Sequence, residues 1–309
     1  MPIDPDAMID LLLEYGFDTD MVEDDTEIRM ACPLCADDSK RLYIEAESGI
    51  WLCFRCDERG DLFDLFHRVL GLDVQESFEA RRKVRHRPEP EFRFGRQVPA
   101  PMPGINLPAE FEPLSVDRRN ESDQGLYFEY LAGRHVPPER AVAYGMGVCA
   151  SGYYANRLII PVRYRDHLYT FVARALDNAE PKVLYPEGSR RSDMLFNLDR
   201  LERIVPLHPL VITEGAFDAL RMPNCAVALL GSQMSPMQVT LLGRMPITWR
   251  PFIILMDGDS AGRKASYQIH RLLWSHNLPH VEARLPDGLD PSAAPAKVLR
   301  KVIQETLDL

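Results

Sequence analysis

The chain has 309 residues, 46% of them hydrophobic, which is ordinary for a soluble protein and leaves room for two or three domains. No apolar run approaches the length of a membrane span, and the acidic start MPIDPDAMID is unlike a secretion signal, so a cytosolic protein is expected. A net charge of -10 and a pI near 5.4 argue against a general DNA coater, although an acidic chain can still act on nucleic acid where its basic groups are local.

In chain order, residues 7–15 (AMIDLLLEY) have helical apolar spacing. The segment CPLCADDSKRLYIEAESGIWLCFRC follows, with four of the six cysteines. Cys32 and Cys35 form one Cys-x-x-Cys pair and Cys53 and Cys56 another. In a reducing compartment such clustering points to metal rather than disulfides, and two thiolate knuckles complete a tetrahedral zinc site. RLYIEA and IWLCF read as a hairpin turned at Ser48-Gly49. A module this small buries little core, so zinc is its main folding term. Tyr43, Trp51, Phe54 and Arg55 lie on the hairpin, where they either meet single-stranded nucleic-acid bases or, for Trp51 and Phe54, simply cover the zinc site. Asp61 is placed to cap a helix whose apolar face is Leu62, Phe63, Leu65, Phe66, Val69 and Leu70. His67 reads as an ordinary helix histidine, since four thiolates already close the site.

The basic run RRKVRHR (81–87) reads as a solvated helix end or a contact to DNA backbone. Residues 88–113 are proline-rich and read as an extended linker, a tether able to deliver the zinc module to a distant site. Beyond it, GLYFEYL (125–131) predicts a helix, and Pro137-Pro138 opens another through Tyr144. NRLIIPVRY and LYTFVARAL predict paired strands, and PKVLYP and MLFNL follow.

Two later stretches carry the chemistry. PLVITEGAFDAL and FIILMDGDSAGRKAS each read as an apolar run, an acidic turn and a helix. Continuous apolar runs suit strands covered on both faces, as in a parallel α/β sheet, whose ligands gather at the carboxyl ends of the strands. Glu214, Asp257 and Asp259 fall at those ends. Three carboxylates there repel one another unless a cation holds them, and oxygen ligands favour magnesium or manganese. Either acidic pair alone is more often a plain turn or helix start; the two together argue for a site that serves phosphate chemistry. Asp218 lies one helical turn beyond Glu214 and can join the cluster. The helix from Ser260 to about Trp274 points its positive end at the site. Cys149 and Cys225 are isolated and read as apolar packing. Residues 258–266 look loosely like a phosphate loop but lack its spacing and its Gly-Lys-Ser/Thr, which excludes an ATPase.

EGAFDAL, ALLGSQMS, DGDSAGRKAS and LPDGLDP, in this order, resemble the Toprim domain of DnaG-type bacterial and phage primases. The knuckle, Gly-Asp and aromatic helix resemble the primase zinc domain, and Cys35, where cellular primases usually have histidine, is similar to the phage type. YLAGRHVPPERAVAYGMGV resembles the start of the primase catalytic core. The resemblance implies an α/β fold: a Toprim-type parallel sheet core, an adjoining mixed α+β lobe and a small zinc ribbon. The corresponding domains are 1–80 (zinc-binding), 81–113 (linker), 114–205 (N-terminal lobe of the core) and 206–309 (Toprim).

The function implied is synthesis of short RNA primers on single-stranded DNA from ribonucleoside triphosphates. Structural Zn2+ and catalytic Mg2+ or Mn2+ are its cofactors. By position, the resemblance puts nucleotide binding on Arg157, Arg174, Lys182 and Arg191, and guanidinium forks suit phosphate oxygens. It puts Glu214 on the attacking hydroxyl, metal on Asp257 and Asp259, and a further acidic block on Asp287 and Asp290. Two features depart from the family: Ser292 stands where another acid is frequent, and Val183 where tyrosine is. The chain ends at Leu309 without a helicase domain, so a separate replicative helicase is expected as partner, in the bacterial host cytoplasm if the gene is a phage's. Two other readings stay open: a Toprim nuclease or topoisomerase-like strand cleaver, and a non-catalytic zinc-ribbon DNA-binding accessory.

Overall fold

The computed structural model describes residues 3–21, 27–46, 48–84, 105–121, 123–177, 179–204, 209–245 and 251–307. These fall into two compact units, one within Met1–Arg93 and Trp274–Pro279, the other within Phe94–Leu273 and His280–Asp308.

The first unit starts with helix α1 (Pro5–Glu14), where Asp4 caps by accepting from the Ala7 N–H at 3.2 Å and Pro5 takes the first position. Five antiparallel strands follow in spatial order: β1 (Thr19–Met21), β2 (Glu27–Cys32), β3 (Asp37–Glu45), β4 (Trp51–Cys53) and β5 (Arg59–Gly60). The β3–β4 hairpin turns through Ser48-Gly49 as its sequence predicts. Gly49 takes φ +74, and its N–H bonds the Glu45 carbonyl at 2.8 Å. One sheet face is apolar: Ile28, Met30, Leu42, Ile44 and Trp51 are buried together with Met8, Leu11 and Leu12 of α1. Helix α2 (Leu62–Asp64), capped by Asp61, runs into a π-helical turn over Leu65–Val69, and α3 (Val74–Lys83) follows a capping box of Asp73 and Glu76. Arg81–Lys83 of the basic run end α3; residues 85–87 lie outside the described residues.

The second unit holds two sheets. The antiparallel one, in order β10-β9-β8-β7-β6, comprises β6 (Phe111–Pro113), β7 (Gly147–Cys149), β8 (Arg157–Tyr164), β9 (His167–Ala175) and β10 (Val183–Leu184). Helices α4 (Gly125–Gly133) and α5 (Pro138–Ala143) lie between β6 and β7 in sequence, and α6 (Leu198–Leu201) follows β10. Residues 111–113, expected in the linker, are instead an edge strand paired with β7. A Cβ at Gly147 would lie 2.3 Å from the Phe111 ring, so a distant glycine makes room for this strand.

The other sheet is fully parallel, in order β12-β11-β13-β14: β11 (Val211–Thr213), β12 (Ala226–Ala228), β13 (Phe252–Ile254) and β14 (His280–Glu282). The first three are buried throughout, as their unbroken apolar runs require. Helices α7 (Ala216–Arg221), α8 (Pro236–Gly243), α9 (Ser260–Ser275) and α10 (Ala296–Leu307) complete the fold. Phe196 joins the edge of this sheet, exchanging both backbone hydrogen bonds with Ala228 at 3.0 and 3.3 Å. Among the described residues no helix is long and apolar enough to cross a membrane.

Candidate functional site

Two groups of ligand-bearing side chains stand out, one in each unit. In the first, Cys32 ends β2 and Cys53 ends β4, while Cys35 and Cys56 sit in the turns that follow. Ala36 and Asp57, each just past a knuckle, take φ +49 and +59, which folds the chain tightly enough to aim both thiols inward. Sγ of Cys32 lies 4.0 Å from that of Cys56, and Cys35 lies 3.8 Å from Cys53. All four sulfurs are within 4.8 Å of one another, and none is in a disulfide. A tetrahedral ion with Zn–S bonds of about 2.3 Å sets its sulfurs about 3.8 Å apart, so the donor set and its spacing fit structural zinc. As bare thiols, Cys32 is raised by burial, and burial, then Cys32 and Cys56, pushes Cys35 up to about 12.

The hairpin residues read as template contacts separate into two kinds. Trp51 is 1% exposed, and its Nε1–H donates to the Asp61 carbonyl at 3.0 Å. It therefore belongs to the core and is removed from the set facing template. Phe54 is 63% exposed, with its ring edge-on to Tyr43 at 5.1 Å. Arg55 donates to the buried Asp37 at 3.2 Å, which fixes one end of its guanidinium. The register sets Arg29, Tyr43, Leu52 and Arg59 side by side across four strands, on the face opposite the core.

The second group lies at the carboxyl ends of the parallel strands. β11 and β13 are neighbours, in the register Val211↔Ile253 and Ile212↔Ile254. Glu214 leaves the end of one strand and Asp257 the end of the other, so two segments forty residues apart meet. The glycine between the aspartates is needed for close approach. A Cβ at Gly258 would stand 2.3 Å from the Pro286 carbonyl oxygen. Its N–H instead bonds the Leu289 carbonyl at 2.8 Å, and the Gly288 N–H returns to its own carbonyl at 2.9 Å. This backbone clasp carries the 285–291 loop, with Asp290, to the same strand ends.

The acids feel one another. Burial, then Glu214, Asp290 and Asp259, pushes Asp257 up to about 6. Burial, then Asp259, raises Glu214, and burial, then Asp257, takes Asp218 up to about 7. Their oxygens are unequally engaged. Asp259 caps α9, its Oδ1 accepting from the Gly262 N–H at 2.7 Å. Asp218 is buried, and its two oxygens accept from the N–H groups of Gly215 at 2.9 Å and Ser292 at 3.0 Å. Asp290 Oδ1 accepts from Ser292 Oγ at 2.6 Å and Ala293 N at 2.8 Å. Asp287 is held outward by Arg263 at 3.0 Å. Oxygen-only donors gathered at one set of strand ends suit a hard divalent cation. Among the described residues only the cysteines gather ligand atoms within 4.8 Å, so the acids form the looser set.

The four expected phosphate ligands also divide. Arg157 is 6% exposed, and its guanidinium donates to the carbonyls of Ala173, Lys182 and Pro181 at 3.3, 3.4 and 2.9 Å. Its donors are committed to tying β9 to the approach of β10, which moves the anion role away from it. Arg174, paired in register with Val183, donates to the Tyr130 hydroxyl at 3.0 Å, while Lys182 and Arg191 are exposed. Arg191 lies 4.5 Å over the ring of Tyr185. Tyr185 is a residue the sequence reading missed. Burial raises its pKa and the Glu214 charge adds to that, so it links this basic patch to the acids. Its signal was an aromatic two residues past Val183, on the same side of a short strand. Arg134, inside the quoted YLAGRH block, was also missed; it donates to Ser292 Oγ at 2.9 Å.

With this geometry in hand, comparison with known proteins is informative. Residues 211–294 match the Toprim-like family. The DNA primase of Myxococcus xanthus is 24% identical over 345 residues, covering 92% of this chain and 54% of that protein. The DNA primase of Thermotoga maritima is 23% identical over 298 residues, covering 84% and 52%. The chain thus spans about half the length of the curated relatives it matches. Among solved structures, the zinc binding and RNA polymerase domains of Aquifex aeolicus primase superpose with a TM-score of 0.53 at 20% identity, covering 99% of this chain and 86% of that one. A DnaG primase catalytic domain bound to ssDNA gives 0.54 at 20% identity, covering 62% and 74%. The fold is therefore that of these primases, and the resemblance read from the sequence holds along the chain.

Proposed function

We propose that this chain, whose sequence and fold resemble the DnaG-type primases, synthesises short RNA primers on single-stranded DNA by metal-dependent nucleotidyl transfer. The observation that carries this is the pairing of β11 with β13, which brings Glu214 close enough to Asp257 and Asp259 that burial and then their charges raise Glu214 and Asp257. The cation-holding set in this reading is Asp257, Asp259 and Asp290, with Asp218 supporting it from behind. Magnesium or manganese held there would supply neutralisation of the charge that builds up during transfer.

This chain's own residues do the rest. Glu214, its proton affinity raised by burial and then by the Asp259 charge, orients the 3′ hydroxyl and accepts its proton. The hydroxyl oxygen then bonds to the α-phosphorus of the incoming ribonucleotide, the bond to the bridging oxygen breaks, and pyrophosphate leaves. Arg174, Lys182 and Arg191 face the triphosphate, and catalysis is mainly positioning and charge neutralisation. In the zinc module, Tyr43, Phe54 and Arg55 meet unpaired template bases. The domain division is 1–80, a linker, the lobe opening at β6, and a Toprim domain from 206. In this reading the protein works in the cytoplasm with a replicative helicase as partner.

The test is a template-directed assay with labelled ribonucleotides, magnesium and single-stranded DNA. New short RNA supports the primase; cut DNA supports a strand cleaver; retention of DNA without product supports an accessory. Glu214→Gln is expected to lower synthesis at least a hundredfold, on the scale of losing one transition-state contact, with zinc content unchanged. Undiminished synthesis would contradict its role.

A further inference from the structure

Ser292 occupies an unusual position among the acids. It is 2% exposed, and every polar atom it has before its own carbonyl is engaged at the site. Its N–H donates to Asp218 Oδ1 at 3.0 Å, a residue 74 positions earlier in the chain. Its hydroxyl accepts from Arg134 Nη1 at 2.9 Å and lies 2.6 Å from Asp290 Oδ1. The direction of this chain of bonds is fixed by chemistry. A guanidinium only donates and an ionised carboxylate only accepts, so the single hydroxyl proton of Ser292 must go to Asp290. Because its donor is charged, the hydroxyl is polarised toward the carboxylate, which strengthens the second bond.

We propose that Ser292 is the positioning residue of the acidic site, joining Asp218 and Asp290 and relaying the Arg134 charge onto one oxygen of Asp290. The inference rests on reading these acids as a divalent-cation site. With Oδ1 of Asp290 occupied by Ser292 Oγ and Ala293 N, Oδ2 is the oxygen left for a cation. The same holds for Asp259, whose Oδ1 is taken by Gly262. Each aspartate therefore contributes through one oxygen whose aim is set by its partner on the other. Arg134 is itself steadied, its guanidinium 5.7 Å from the Tyr130 ring and 5.8 Å from that of Phe217. A serine here also brings together acids that repel without adding another negative charge between them.

The experiment is a Mn2+ titration of the zinc-loaded full chain, followed by the electron paramagnetic resonance signal of free Mn2+, with the circular-dichroism unfolding transition checking that each variant is folded. Ser292→Ala is expected to weaken Mn2+ binding about tenfold or more, the usual cost of losing a residue that orients a ligand. Ser292→Thr, which keeps the hydroxyl, is expected to restore most of that affinity. Arg134→Met, acting from the far end of the relay, should weaken binding in the same direction. Equal loss in the alanine and threonine variants would overturn the proposal, since crowding rather than the hydroxyl would then be the cause. So would wild-type affinity in Ser292→Ala while Asp257→Asn loses the ion; that result leaves the cation site itself standing. If Ser292→Ala does not fold, wild-type affinity in Arg134→Met overturns the relay. Wild-type chain that holds Mn2+ no better than Asp257→Asn sinks the cation-site reading, and this inference with it.

Discussion

The cysteine knuckles and the acidic strand ends are both built where strands stop, yet they hold their donors differently. The four sulfurs lie within 4.8 Å of one another on two tight turns of one short sheet. The carboxylates come from three separated segments, and both oxygens of Asp218, with one each of Asp259 and Asp290, are already tied to backbone N–H groups or a hydroxyl. A closed, four-thiolate arrangement has no position left for a substrate and serves folding. A looser set of acids, unequally engaged, suits ions that also accept ligands from elsewhere. The difference shows that closure, more than ligand count, separates a site that holds a fold together from one suited to turnover.

Four changes test this contrast, from the strongest effect down. Cys53→Ser removes one of four zinc ligands, and zinc binding in small modules is worth on the order of 10 kcal/mol. The first unit should lose its ordered sheet, read as rapid proteolysis within residues 1–84, while Mn2+ binding in the second unit persists. Simultaneous loss of both would mean the sites are not independent. Next, Trp51→Ala should cost about 3–5 kcal/mol of stability in urea unfolding, as expected for a buried aromatic. Phe54→Ala, at an exposed ring, should leave stability nearly unchanged and weaken single-stranded DNA binding by about 1–3 kcal/mol. An unfolding penalty for Phe54 as large as that for Trp51 would mean that the hairpin's outer face is also core.

Gly258→Ala probes how the acids are assembled. The new methyl collides with the Pro286 carbonyl, so the 285–291 loop must shift, at a cost of about 1–3 kcal/mol. Weakened Mn2+ binding with zinc unchanged is the expected result, and unaltered binding would show that Asp290 plays no part. The smallest effect is a pH dependence. Asp257 and Asp218 have folded pKa values near 6 and 7, above those of the unfolded chain. The folded form therefore binds more protons, and stability from these groups is fully present at low pH and falls as pH rises through about 6 to 7. Magnesium should accordingly raise the melting temperature more at pH 8 than at pH 5.5. A larger rise at the acidic end would contradict the repulsion among these acids.

Much of this was legible in the sequence because it depends on local pattern. Two Cys-x-x-Cys pairs, the Ser48-Gly49 turn, and unbroken apolar runs ending in Glu214 and Asp257 declare themselves over a few residues each. What was hidden depends on distant partners. The β6 strand has only Phe-Glu-Pro to announce it and exists because Gly147 admits Phe111. Arg157 reads as any cation on a strand, and only the fold shows its guanidinium turned to three carbonyls. Trp51 and Phe54 lie three residues apart on one hairpin, but the Asp61 carbonyl that receives the indole comes from the chain beyond the second knuckle. Ser292 is the sharpest case, since the sequence marks it only as a missing acid, and its bonds to Asp218 and Arg134 are seen only in the fold.

The bridge between Phe196 and Ala228 has a mechanical consequence. Two reciprocal amide bonds, reinforced by Asn197 donating to the carbonyls of Pro223 and Ala226, splice the segment after β10 onto the border of the parallel sheet. A hinge at that seam would have to break all four links at once. The antiparallel sheet and the acid-bearing parallel sheet are consequently coupled at this border, so a rearrangement of one carries the other with it.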